Sequence, residues 1–272
     1  MRNNKHIQTM KKIMLLCAAV LTLVGCRQGG GNDDNQQPET INNTHQMDTN
    51  SHKRMVILNA SPRKDKNTAT LLKEAQRGAE EAGAEVQYID LIDLQFTGCR
   101  SCMACKRTGN QCGGVCAVRD DLRPVLESIR DADALIIGSP IYWSFPTGMM
   151  RNVVERLLFP MLSYNSDGKG GVQRYLDKRM NCGIIYTMNV TPELYKAMNY
   201  AALHEPDREH LEQYYGHCEV YNAYGTWQFY PDYEKYDHSA VDLDEKQWYR
   251  DNQWPRDKQA AYDMGKRLVT MN

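Results

Sequence analysis

From residue 53 onward the chain alternates two kinds of hydrophobic pattern. Runs at 55–59 (MVILN), 85–90 (EVQYID), 134–138 (ALIIG), 182–188 (CGIIYTM) and 218–223 (CEVYNA) are short and rich in Val, Ile and Tyr, which predicts strands. Between and after them, 68–82, 121–130, 148–158 and 256–269 carry apolar residues at helical spacing. In the first of these, Leu71, Leu72, Ala75, Ala79 and Ala82 share one face. Strands alternating with helices predict an α/β fold, a five-stranded parallel sheet with helices on both faces. Two stretches break the rhythm: 98–119, dense in cysteine, and 214–236, dense in tyrosine. Loops of that length in a compact domain are often functional, and the second permits a lid or a homo-oligomer contact. Trp227 and Phe229 within it are expected to pack in the core.

The first fifty residues have a different pattern. Lys11 and Lys12 precede an apolar run, 13–24, that ends in Leu23-Val24-Gly25-Cys26. The run is too short to span a bilayer. Positive end, apolar stretch, small residue and cysteine in that order resemble the lipobox of bacterial lipoproteins, whose cysteine is acylated and becomes the new N-terminus. A buried helix with an inert cysteine is the alternative, but such a helix should lead into a packed domain. Here a polar tract follows, RQGGGNDDNQQPETINNTHQMDTNS, with no aromatic residue and almost nothing to bury. It reads as a flexible tether with a reach on the order of 25–30 Å. The expected organisation is a signal peptide at 1–25, a lipid-anchored tether at 26–52 and a folded domain at 53–272, held at a membrane of the bacterial cell envelope through Cys26.

Composition adds bounds rather than an identity. With 272 residues, 42% apolar and 25% charged, one well-packed domain is expected. Setting aside the four basic residues of the first 25 leaves 29 basic against 34 acidic residues. That balance gives no support for nucleic-acid binding. The seven histidines show no metal-ligand spacing.

The candidate chemistry sits after two of the strands. Directly after the first comes Ala60-Ser61-Pro62-Arg63-Lys64-Asp65-Lys66-Asn67-Thr68, and a helix begins at its end. In an open parallel sheet, ligands bind beyond the carboxyl ends of the strands, where such a unit aims unpaired backbone N–H groups. A phosphate suits that place: Ser61 and Thr68 offer hydroxyls, Asn67 an amide and Arg63 a planar charged fork. The competing reading makes Asn67 or Thr68 a simple helix cap. The loop has neither the dinucleotide glycine fingerprint nor the Walker pattern, so a mononucleotide fits better than ATP. After the third strand, Ser139-Pro140-Ile141-Tyr142-Trp143 forms a proline-stiffened turn with flat apolar surface.

Taken together, 59–72, 98–121 and 133–156 resemble the flavodoxin-like family of NADPH-dependent FMN reductases. The resemblance implies that Ser61, Arg63, Asn67 and Thr68 hold the FMN phosphate and that Pro140, Ile141, Tyr142 and Trp143 lie beside the isoalloxazine ring. Asp65 and Lys66 stand where the family often has a glycine. The segment 252–268 is similar to the family's closing helix, a structural element. The implied fold is flavodoxin-like.

Five cysteines occupy one loop as Cys99-x2-Cys102-x2-Cys105-x6-Cys112-x3-Cys116. Within the family, the iron-sulfur flavoproteins hold a [4Fe-4S] cluster through such a motif, which implies Cys99, Cys102, Cys105 and Cys112 as ligands here. Other members keep loop cysteines without a cluster, the last preceding an Asp-Asp pair as Cys116 does. Four thiolates could equally hold zinc. An exported chain folds where disulfides persist, which favours disulfides or free thiols over a cluster.

The function expected from these features is an FMN-dependent oxidoreductase. NAD(P)H is the candidate donor, and a small molecule such as a quinone the acceptor. Hydride passes to flavin without a protein acid or base, so no catalytic side chain is expected. The rivals are a flavin-bearing electron carrier for a protein partner and a thiol-disulfide protein working through the Cys99 to Cys116 loop.

Overall fold

A computed structural model describes residues 52–110, 112–166 and 172–271. The signal peptide, Cys26 and nearly all of the tether lie outside them. Five strands, β1 (Arg54–Asn59), β2 (Glu85–Asp90), β3 (Ala134–Tyr142), β7 (Met180–Thr187) and β8 (Gly216–Ala223), pair in parallel in the order β2-β1-β3-β7-β8. A sixth, β4 (Phe145–Pro146), folds back antiparallel on the end of β3. Apart from this short addition the sheet is the expected one. Its order reverses between β1 and β3, the point at which a crevice opens beyond the carboxyl ends.

Strand alternation divides the core into two layers. Met55 and Ile57 of β1 and Ala134 and Ile136 of β3 face α1 (Asn67–Glu81) and α7 (Trp254–Thr270). Val56, Leu58, Leu135 and Ile137 face α2 (Leu122–Asp131), α3 (Gly148–Leu158) and α5 (Ala201–Tyr215). Nearly continuous burial along β1, β3 and β7 is what a sheet covered on both faces requires.

Several elements lie beyond the sequence-based set: α5, the short helices α4 (Pro192–Ala197) and α6 (Leu243–Trp248), and a hairpin of β5 (Leu162–Ser166) with β6 (Val172–Arg174). Strand β3 also runs four residues past the predicted Gly138, because Ser139 and Pro140 keep their parallel register with Tyr186 and Thr187. The segment 214–236 divides into the end of α5, all of β8 and a loop. Among the described residues no helix is long and apolar enough to cross a membrane.

Candidate functional site

The phosphate-type loop is built by short-range hydrogen bonds. Asn59, the last residue of β1, donates its amide to Asp90 Oδ1 (2.7 Å) and accepts from the Ser61 N–H (3.1 Å). The Ser61 hydroxyl then accepts from the Arg63 N–H (3.1 Å), turning the chain away from the sheet. Thr147, the N-cap of α3, donates to the Ala60 carbonyl (2.8 Å), and its N–H reaches Ser139 Oγ (3.0 Å). The ends of β1 and β3 are thereby locked together at the reversal point. Helix α1 starts without a side-chain cap: Lys66 at its N-cap makes no such bond. Its first-turn N–H groups, at the positive end of the helix dipole, carry no side-chain acceptor.

A cavity of ≈ 330 Å³ opens there, lined by Ser61, Arg63, Asn67 and Thr68 from the loop and by Pro140, Ile141 and Tyr142 from β3. Seven of the eight sequence-chosen binding residues therefore converge. The eighth, Trp143, does not line the cavity. It stands 98% exposed at the tip of the β3–β4 hairpin, where Trp143 and Ser144 both take left-handed backbone angles (φ 50° and 73°) that non-glycine residues rarely adopt. Buried His204 of α5 supports that tip through Nε2 to the Ser144 carbonyl (3.0 Å), and the Ser144 hydroxyl donates to Tyr200 (2.9 Å). A carbonyl needs a donor, so Nε2 carries the proton and Nδ1 accepts from Tyr195 (3.2 Å). Burial lowers the His204 pKa, which favours this neutral form.

The remaining walls were not read from the sequence. Thr187 ends β7 and is followed by Met188 and Asn189, while Thr226, Gln228 and Phe229 come from the loop after β8. The strand-end rule points to the first three; no motif points to the others. Arg63 donates to the Gln228 carbonyl (2.6 Å), Asn67 to the Trp227 carbonyl (2.8 Å), and Thr68 shares a hydrogen bond with Thr187 (2.7 Å). Behind the wall, buried Lys246 donates to the Asn189 carbonyl (2.6 Å), and burial lowers its pKa. Trp227 and Phe229 are half-buried against Tyr233, so they pack beside the cavity rather than in the central core.

The cysteine loop is organised from beneath by Arg156. Its guanidinium is almost fully buried and grips Asp120 with two bonds (2.5 and 2.8 Å), while also donating to the carbonyls of Thr97 (3.1 Å) and Val118 (3.3 Å). Burial opposes the charge of Asp120, but Arg156 overrides it and holds that carboxyl below its ordinary pKa. The metal quartet implied by the motif is not assembled. Among the described residues no three Cys, His, Asp or Glu side chains converge on a common point, which removes the zinc reading as well. Left-handed turns at Ser101 and Met103 interrupt the run, leaving Cys99 and Cys102 exposed while Cys105 and Cys116 are buried. All seven cysteines of the described residues are free thiols.

Residues 53–172 match the family model of NADPH-dependent FMN reductases. A 103-residue stretch is 34% identical to an iron-sulfur flavoprotein of Archaeoglobus fulgidus, covering 38% of this chain and 48% of that protein. Another stretch of 103 residues is 30% identical to an iron-sulfur flavoprotein of Methanocaldococcus jannaschii, covering 38% and 51%. The chain thus spans about half the length of the curated relatives it matches. Among solved structures, an NAD(P)H:quinone oxidoreductase from Methanothermobacter marburgensis superposes with a TM-score of 0.59 at 16% identity, over 80% of this chain and 100% of that one. An azoreductase from Bacillus anthracis does so with a TM-score of 0.52 at 11% identity, over 79% and 99%. At these identities the structural likeness establishes the flavodoxin-like fold.

Proposed function

We propose that the cavity at the ends of β1, β3 and β7 binds FMN and that the chain is an FMN-dependent NAD(P)H oxidoreductase delivering electrons to a small acceptor such as a quinone. The observation that carries this reading is the coincidence of three things at one place. They are an uncapped helix start, a cavity of suitable size between the ends of parallel strands, and residues within the stretch matched by the FMN reductase family.

The residues present fit the cofactor. Ser61, Asn67 and Thr68, with the first N–H groups of α1, form a donor set for a phosphate. Arg63 adds charge while keeping its bond to Gln228. Asn67 keeps a second amide hydrogen free, since its bond to Trp227 uses only one. Pro140, Ile141 and Tyr142 offer backbone and a flat side chain to a ring system, with Phe229 opposite in the same cavity. When bound, FMN supplies two-electron chemistry, taking hydride from a nicotinamide and passing electrons on. The protein's share is to bind and orient. No buried acid or base lines the cavity, in keeping with a reaction that needs none. Full-length protein supplied with NADPH and a quinone should oxidise the nicotinamide only when FMN is present. Flavin-independent oxidation, or none with flavin bound, contradicts the reading.

We further propose that the domain is held at the bacterial envelope by a lipid on Cys26, a reading supported by the order of charges, apolar run and Leu-Val-Gly-Cys in the sequence. Stable anchoring needs more than one acyl chain, and that cysteine is where they attach. Cys26→Ser is expected to move the protein from the membrane fraction to the soluble one. Retention of a processed, unacylated chain at the membrane would show that something else holds it.

A further inference from the structure

We propose that Cys99 and Cys102 form a redox-active dithiol that reduces disulfide-bonded substrates seated in the groove beside Cys99. The pair has C-x-x-C spacing, the arrangement in which one thiol attacks a disulfide and the next resolves the product. Of the seven described cysteines, these two alone are exposed. Cys105, Cys182 and Cys218 are buried, and burial raises the pKa of each thiol, that of Cys218 to about 12. Those three stay protonated and out of reach.

The metal reading leaves these two thiols unexplained, because the other cysteines do not gather around them. The surroundings suit thiol exchange instead. Cys99 borders a groove of ≈ 350 Å³ whose floor includes Val154, Leu158, Phe159 and Tyr214, with Arg151 and His210 at its sides. The loop carrying both thiols is fastened to α3: the Cys99 N–H donates to Glu155 (3.3 Å), and Lys106 donates to the carbonyls of Phe159 and Leu162. The Lys106 ammonium also lies 4.2 Å from the centre of the Phe159 ring, and its charge reaches Cys99. Cys99, at the groove, is the attacking thiol and Cys102 the resolving one. A substrate with an apolar substituent finds surface to lie on while its disulfide meets Cys99. Cations nearby stabilise negative charge on the departing sulfur.

The exchange balances without the flavin. Cys99, as thiolate, attacks one sulfur of the substrate; a Cys99–substrate bond forms, the substrate S–S bond breaks, and the first thiolate leaves. Cys102 then attacks Cys99, forming the Cys99–Cys102 bond and expelling the second thiolate. The substrate gains two electrons and the two protons given up by the cysteines, and departs as two thiols. A dithiol reductant in solution returns the pair to its reduced state.

Full-length reduced protein mixed with 5,5′-dithiobis(2-nitrobenzoate) tests this directly. Both halves of the probe should be released as free thiol, and peptide mapping should find a Cys99–Cys102 disulfide. Cys102→Ser should stop at a stable mixed disulfide on Cys99. Cys99→Ser should react about tenfold more slowly, since the remaining thiol is outside the groove. Both are surface replacements, and an unchanged circular dichroism spectrum verifies folding. Mixed disulfides standing on both residues of the unaltered protein, with no internal bond, would overturn the proposal. So would about four irons per chain in protein isolated from its own envelope. Neither readout depends on bound flavin, so this proposal and the FMN reading fail separately.

Discussion

At the level of single residues, the phosphate-type loop does two jobs at once. Arg63 and Asn67 reach across to the carbonyls of Gln228 and Trp227, so they fasten the outer wall of the cavity as well as furnishing donors toward it. The sequence exposed the donors because strand, polar loop and helix start are adjacent in the chain. Their second partners were hidden, since a backbone carbonyl some 160 residues away leaves no mark on residue type. Arg63→Ala and Thr68→Val are each expected to weaken FMN by about 1–3 kcal/mol, roughly five- to a hundred-fold in Kd. Riboflavin lacks the phosphate and should lose distinctly less, the remainder reflecting a looser wall. Equal losses for the two ligands in equilibrium titrations would remove the loop from the phosphate. Trp143 illustrates the opposite error: an aromatic next to Tyr142 in sequence was expected beside it in space, but the hairpin turn rotates it outward.

Among the elements, those with clean periodicity were legible and those without were not. Strand β2 and helix α3 fall on their predicted limits, whereas α5 was missed because Pro206 lies inside it and only His204, Leu211 and Tyr215 are buried. Its weak pattern follows from its task of bracing the hairpin through His204 and Tyr200 rather than filling a core. Helices α1 and α7 show a further constraint. A Cβ at Gly78 would lie 2.0 Å from the Tyr262 carbonyl oxygen, and one at Gly265 would lie 1.9 Å from that of Ala75. The two backbones are in direct contact, and neither carbonyl can withdraw without bending its helix. Gly78→Ala would gain up to about 1 kcal/mol of helix propensity but overpack the crossing. A net loss of about 1–3 kcal/mol is expected in denaturant unfolding. Unchanged or increased stability would show that the crossing yields. Because α1 carries the phosphate-type loop at its start, the same variant should also weaken FMN.

The molecule as a whole joins a sheet whose geometry is set by pattern to a site assembled from distant loops. Fold class, five parallel strands and seven cavity residues could be read from the chain, because alternation and strand-end loops are local properties. The wall from Thr187–Asn189 and Thr226–Phe229, and the dispersal of the loop cysteines, arise only once tertiary contacts such as Arg156 with Asp120 fix the loops. The flavin reading and the envelope address bear on each other, since a chain exported unfolded must acquire its cofactor after folding. The most direct test is therefore the flavin content of full-length protein purified from its own membrane, read by absorption and by identification of what denaturation releases. The account predicts about one FMN per chain, released on unfolding. Protein that is folded yet colourless, and that binds no added FMN, would contradict it.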